Sequence, residues 1–112
     1  IGLRPDHPDK ASLRQEFLDE HRYSEDEMHV FVRGGCLFYL HLDQRVYVIG
    51  CAAGDLISVP ADTPHWFDMG PEPNFTAIRL FAASEAQAAR MTGSDIASRF
   101  PRYEAFSGEQ AA

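Results

Sequence analysis

The chain has 112 residues, 45% of them apolar, so it has the length of one domain and enough hydrophobic side chains to bury a core. Its formal net charge of −7 argues against a nucleic-acid or anionic-membrane partner, since both need a basic surface. No apolar run approaches the roughly 20 residues that span a bilayer, and the start lacks a signal-peptide pattern, so a cytoplasmic location is expected. The two cysteines, Cys36 and Cys51, are too few for a disulfide framework. They fall in or beside neighbouring predicted strands, where a bridge is within geometric reach, but buried free thiols are the expected state. The first residue is Ile rather than Met, which reads as a fragment or a product lacking its original start.

Residues 1–8 carry two prolines and read as an extended lead-in. Asp9 is a candidate cap for a helix over 10–20, with Leu13, Phe17 and Leu18 as its apolar stripe. That helix ends just before His21. Residues 24–27 (SEDE) form an acidic loop, followed by a strand over 28–32 and a turn at Gly34-Gly35. Residues 36–42 (CLFYLHL) and 45–49 (RVYVI) read as a hairpin joined by Asp43-Gln44, which lacks the favoured glycine. A loop over 50–54, strands at 56–59 and 65–69, a break at 70–74 (GPEPN) and a last strand at 75–81 (FTAIRLF) complete the β region. Six or so short strands separated by Gly, Pro and Asp turns predict an all-β barrel or sandwich over 21–81. Residues 84–91 and 94–100 each open with a cap serine and read as short helices. The tail from Pro101 is expected to fray. The whole chain, 1–112, is read as a single domain.

Alternate side chains of a strand share a face, so Glu27, His29 and Phe31 are expected to point the same way. His21 and Tyr23 share that parity, although the SEDE loop can shift the phase. His65 arrives from another strand. A barrel interior could therefore gather His21, Tyr23, Glu27, His29 and His65. Imidazole and carboxylate together suit Fe, Ni, Mn, Co or Zn, and the lack of thiolates disfavours a structural zinc knuckle. His7 and His41 are set aside as surface or hydrogen-bonded residues.

This spacing resembles the cupin superfamily. Of its first motif, G-x5-H-x-H-x3,4-E-x6-G, the residues His21, Glu27 and Gly34 fall in register, while Tyr23 takes the second His position. Of its second, G-x5-P-x-G-x2-H-x3-N, Gly54, Pro60 and His65 match, with Asp62 and Met69 replacing the second Gly and the Asn. A more specific resemblance lies over it. DLISVPADTPHWFDMGPEPNFTAIRLF, together with FLDEH, SEDE, FYLHL and TGSDIASRFPR, is similar to the bacterial acireductone dioxygenase family over nearly the whole chain. Members of that family usually carry a further N-terminal segment, so this sequence reads as a cut-down relative or an incomplete chain.

The resemblance implies a small cupin barrel with short flanking helices, holding one divalent transition metal on three His and one Glu. Fe(II) or Ni(II) is expected, with Co, Mn and Zn as the other candidates. The first His, the Glu and the last His match His21, Glu27 and His65. The second His matches Tyr23, and a family Arg facing the substrate matches His29. A second family Arg matches Arg79, the substrate-side aromatics match Phe17 and Phe67, and Glu20 matches a residue adjacent to the first ligand. We expect His29 to replace the imidazole missing at position 23, giving the set His21, Glu27, His29 and His65. Tyr23 is then a hydrogen-bond donor behind the ligands, a general acid/base or a weak ligand.

The function implied is O2-dependent cleavage of a small enediol that chelates the metal. In the family, Fe(II) gives formate and the 2-oxo acid precursor of methionine, and Ni(II) gives carbon monoxide, formate and methylthiopropionate. One alternative keeps the scaffold as an oxygenase or lyase for another small substrate, such as a thiol or an amino acid like cysteine. The other is a non-catalytic metal- or ligand-binding cupin. Small-molecule substrate and O2 are the expected partners.

Overall fold

A computed structural model of the chain describes residues 2–81 and 89–106. In chain order its elements are β1 (Gly2–Leu3), α1 (Lys10–Leu18), β2 (His21–Arg22), β3 (Glu27–Leu42), β4 (Arg45–Ala52), β5 (Leu56–Val59), β6 (His65–Asp68), β7 (Phe75–Phe81), β8 (Arg90–Met91) and a 3-10 turn, Ile96–Arg99. Two sheets share β3. Its first half pairs antiparallel with β5 on one side and β7 on the other, and β7 carries β1. Its second half pairs with β4 and β6, and β6 continues through β2 to β8.

The expected pair of strands at 28–32 and 36–42 is thus one strand of 16 residues. Gly34-Gly35 bends the strand rather than ending it. A register shift between Phe31 and Arg33 marks a bulge, which sharpens twist locally. Gly34 adopts φ 67°, and a Cβ there would lie 1.7 Å from the Asn74 carbonyl oxygen. The bend lets one strand serve both walls of the barrel. The hairpin at Asp43-Gln44 forms as expected, pairing Leu42 with Arg45, with Asp43 at φ 57° in the place of the missing glycine. The predicted loop at 50–54 shortens, because β4 runs on to Ala52 opposite Gly35.

The barrel interior is filled by Phe31, Phe38, Ile57, Phe67, Met69, Phe75 and Ala77, with Cys36 and Cys51 among them. Burying each phenylalanine contributes roughly 1.5–3 kcal/mol relative to leaving it exposed. All four residues of β6 are buried, since Trp66 on its outer face stacks on Tyr39 and is covered by Ala97, Ile96 and Phe100. The C-terminal region therefore closes the second sheet from outside. It does so as a 3-10 turn at 96–99 and not as the helix expected over 94–100. Asp95 at its N-cap makes no side-chain cap bond, and Pro101 halts any continuation. Of the tail expected to fray, residues 101–106 are ordered against the barrel, and residues 107–112 lie outside the described residues. The Tyr39 hydroxyl donates to the Pro101 carbonyl at 2.6 Å, and the Tyr103 N–H donates to Asp68 at 2.8 Å. Of the helix expected over 84–91, residues 84–88 lie outside the described residues, and Arg90–Met91 is a strand paired with β2. Helix α1 stops at Leu18, two residues early, where Asp19 turns extended to begin the approach to β2. Asp9 stands at its N-cap without a side-chain cap bond.

Cys36 and Cys51 face each other across β3 and β4, and both are free thiols. Burial pushes the Cys51 thiol up to about 11 and raises Cys36 further. Thiols of this kind are inert. Neither is expected to react with a thiol reagent in the folded protein, and both should react once it is unfolded. Rapid labelling of the native state would show that the pair is accessible.

Candidate metal centre and active site

Three elements bring the chemistry together. In β2, His21 stands directly opposite His65 of β6, with the two rings 4.6 Å apart. On β3, Glu27 and His29 share the inward face, as the two-residue period requires. On β7, Arg79 lies opposite His29. Tyr23, past the end of β2, is anchored through its carbonyl, which accepts the Asp62 N–H at 2.8 Å. Asp62 takes φ 61° there, so this aspartate adopts the left-handed backbone for which the cupin pattern uses glycine.

His21, Tyr23, Glu27, His29, His65 and Arg79 line one small cavity with Phe17, Phe38 and Phe67. Its volume is about 10 Å³, the scale of one water or one ion. His21, Glu27, His29 and His65 are all buried. The Nδ1 atoms of His21 and His65 lie 2.7 Å from the Asp19 carbonyl and 2.8 Å from the Thr63 carbonyl. A carbonyl only accepts, so each Nδ1 carries the proton and, in the neutral ring, each Nε2 presents a lone pair. Burial first, and then the His65 ring, push the His21 imidazolium down, favouring the neutral form that ligates metals.

Glu27 Oε1 lies 2.8 Å from His65 Nε2, and Oε2 lies 3.4 Å from His29 Nε2. These are ion-pair distances, yet neither contact has hydrogen-bond geometry, and both buried oxygens lack a hydrogen-bond partner. Burial alone would raise the Glu27 carboxyl. Imidazole N–H donation from His29 and His65 would bring the group down to about 2, and a cation held in place of those protons favours the ionised carboxylate in the same way. A lone pair on His65 Nε2 facing an anionic oxygen calls for a cation between them. Among the described residues no three His, Cys, Asp or Glu side chains stand as a preassembled metal cluster. The separations are nonetheless those of neighbouring ligands. Two donors each about 2.1 Å from one ion, at right angles, lie about 3 Å apart. Together, the donor set and the orphaned oxygens fit the chemistry of a divalent transition metal.

Outward from this cavity lies a second pocket of about 290 Å³, lined by Glu16, Phe17, His21, Tyr23, Arg79, Ala89 and Met91. Four of these residues belong to both spaces, so the larger pocket adjoins the donor cluster. The Arg79 Nη1 donates toward the Tyr23 hydroxyl at 3.5 Å, and its guanidinium carbon lies 5.9 Å from the Tyr23 ring centre. Burial raises the Tyr23 hydroxyl, with Arg79 opposing, so it remains protonated at neutral pH.

Phe17 and Phe67 line the cavity and pack on each other at 4.6 Å. Glu20 does not reach it. Its carboxylate takes His41 Nδ1 at 2.6 Å and the Thr92 hydroxyl at 2.7 Å, tying β3 and the segment after β8 to the end of α1. Sequence reasoning missed Phe38, which stacks on Phe67 and packs 5.0 Å from His29. Strand parity across the bulge would have been needed to find it.

The family profile described as "ARD/ARD′ family" matches residues 1–89. The chain belongs to the ARD/ARD′ family. Among curated members, the acireductone dioxygenase of Marinobacter nauticus is 59% identical over 108 residues, which cover 96% of this chain and 58% of that protein. The acireductone dioxygenase of Aquifex aeolicus is 56% identical over 104 residues, 93% of this chain and 57% of its own length. The chain thus spans a little over half the length of these ARD relatives. Among solved structures, the Bacillus anthracis acireductone dioxygenase with a cadmium ion in its active center superposes with a TM-score of 0.71 at 29% identity, over 80% of this chain and 52% of that one. A Bacillus subtilis oxalate decarboxylase superposes at 0.58 with 18% identity, over 84% of this chain and 24% of that one. The ARD fold here is therefore the cupin barrel that the strand pattern and motif spacing anticipate.

Proposed function

We propose that this ARD-family chain carries the active centre of a metal-dependent dioxygenase of the acireductone type. One observation carries the reading: the buried Glu27 carboxylate, its oxygens lacking hydrogen-bond partners, faces imidazoles beside a pocket of substrate size. His21, Glu27 and His65 hold the ion, with Fe(II) or Ni(II) as the expected occupant. When bound, the metal supplies a Lewis-acid site for a chelating substrate and the redox chemistry that O2 requires.

The chain's own groups do the rest. The backbone carbonyls of Asp19 and Thr63 hold the two imidazoles in the tautomer that leaves Nε2 toward the ion. Arg79 supplies the positive charge that an enediolate or carboxylate needs in a desolvated pocket. Phe17, Phe38 and Phe67 exclude water around the reacting carbons. The Tyr23 hydroxyl, protonated and held beside Arg79, is placed to give a proton to a substrate oxygen. Methionine salvage in the cytoplasm is the setting this activity would have.

A second reading is favoured by position 29. With His there, Arg79 is the only Arg or Lys among the described residues lining either space. One guanidinium suits a smaller or less charged anion, such as a thiol-bearing amino acid. Oxygen uptake by Fe(II)- and Ni(II)-loaded protein, measured with acireductone and with a panel of thiols including cysteine, separates the two. Uptake with acireductone is expected to exceed that with any thiol. Uptake with a thiol alone would move the chain to the second reading, and no uptake by metal-bearing protein would sink both.

A further inference from the structure

We infer that the fourth protein ligand of this centre is His29, supplied by β3, and that the phenol of Tyr23 faces the substrate pocket as part of an anion-binding pair with Arg79. The inference rests on the proposed metal site and specifies its ligand set. His29 and His65 each bring Nε2 to a different oxygen of the same carboxylate, at 3.4 and 2.8 Å. Both separations fall near the roughly 3 Å expected of donors sharing one ion. Glu27 and His29, two residues apart on one strand, form a clamp whose geometry the backbone sets. That backbone is paired on both sides. His29 is registered to Ile57 on one side and Arg79 on the other, in the middle of a three-strand segment, and the Phe38 ring packs beside it. His29 is 5% exposed.

Tyr23 is disposed differently. Its ring centre is 5.6 Å from that of His21 and 5.9 Å from that of His65. Its hydroxyl is directed to the Arg79 guanidinium. Tyr23 and Arg79 also line the outer pocket, which His29 does not. A phenol O–H and a guanidinium N–H, side by side on one wall, are donors matched to a carboxylate or enolate oxygen. The imidazole at 29 thus completes a set of three His and one Glu from inside the barrel, leaving the mouth to substrate.

The test uses the whole chain loaded anaerobically with Co(II) or Fe(II). Wild-type protein should take up one equivalent, and its air-oxidised iron form should lack a visible phenolate-to-Fe(III) charge-transfer band. Tyr23→Phe should keep both the metal content and the Co(II) absorption spectrum. His29→Gln should alter the Co(II) spectrum and weaken binding about 100-fold, the upper end of the losses from removing groups that only hydrogen-bond to a ligand. A charge-transfer band in the wild type that Tyr23→Phe abolishes would overturn the assignment without needing the His29 variant to fold. An unchanged Co(II) spectrum and affinity in His29→Gln would also overturn it, while leaving the metal site itself standing. Wild-type protein that takes up no metal would overturn both the ligand assignment and the function on which it rests.

Discussion

With Glu27 as the proposed metal ligand, Glu27→Gln is expected to lower metal affinity by about 100-fold or more, because a direct ligand is worth at least as much as the groups that orient ligands. The amide keeps the volume but removes the charge, and it places an N–H₂ where one of the two oxygens faces an imidazole. Glu27 is 1% exposed, so bulk solvent does not compensate for the lost charge. Competition against a chromophoric chelator measures the loss, and thermal unfolding in chelator checks that the apo fold survives. Parent-like affinity in a folded variant would remove Glu27 from the ligand set. Under the proposed ligand role of Glu27, oxygen uptake should fall in parallel with metal content.

The second large effect lies outside the site. Asp68→Asn is expected to destabilise the protein by about 3 kcal/mol, the scale of breaking a buried ion pair from one side. Asp68 is fully buried and accepts four hydrogen bonds. Arg14 Nε and Nη2 donate at 2.7 and 3.0 Å, and the backbone N–H groups of Gly70 and Tyr103 donate at 2.9 and 2.8 Å. It thereby joins α1, the end of β6 and the C-terminal segment. For a domain of this size the loss should lower Tm by roughly 12 °C. Glu104, which pairs with the other edge of Arg14 but is half exposed, should cost under about 1 kcal/mol when changed to Gln. Equal effects of the two changes would show that burial is not what makes the Asp68 pair matter.

The same residue carries a pH dependence. Burial would raise the Asp68 carboxyl, but Arg14 and the two backbone N–H groups overcome this and leave it below the usual carboxylate range. The unfolded chain, with Asp near its ordinary value of about 3.9, therefore takes up the proton first. The stabilisation is complete above that value and is lost as pH falls through the lower folded one. Denaturant midpoints should drop below about pH 4 in the parent, and less steeply in Asp68→Asn. A variant with the same acid profile as the parent would place the titrating group elsewhere.

Much of the architecture was legible in the chain. Runs such as CLFYLHL, RVYVI and FTAIRLF sit between Gly, Pro and Asp turns, and their aromatic and β-branched side chains suit a half-buried pleated surface, which marks such strands and their hairpin. The candidate site was legible for a related reason. Glu27 and His29 share a strand face by parity, and Gly34, Gly54 and Pro60 space His21 and His65 around them. The family resemblance carried the rest of the candidate residues.

Other features depend on contacts between distant residues, and no local pattern encodes them. That β3 runs unbroken through Gly34 depends on Asn74 packing where a side chain would stand. The C-terminal segment folds against Tyr39 and Trp66 because those aromatics need covering, although its own sequence suggests helix and then fraying. Asp68 and Arg14, 54 residues apart, form their pair only because α1 crosses the end of β6. The direction of Glu20, toward His41 and Thr92, is likewise set by neighbours from other elements. His21 through Gly34 supplied the donor types and their spacing. How close those donors stand, and that Tyr23 turns to Arg79 while His29 turns to Glu27, was decided by the closing of the barrel, because only packing against β5, β6 and β7 fixes where those side chains end.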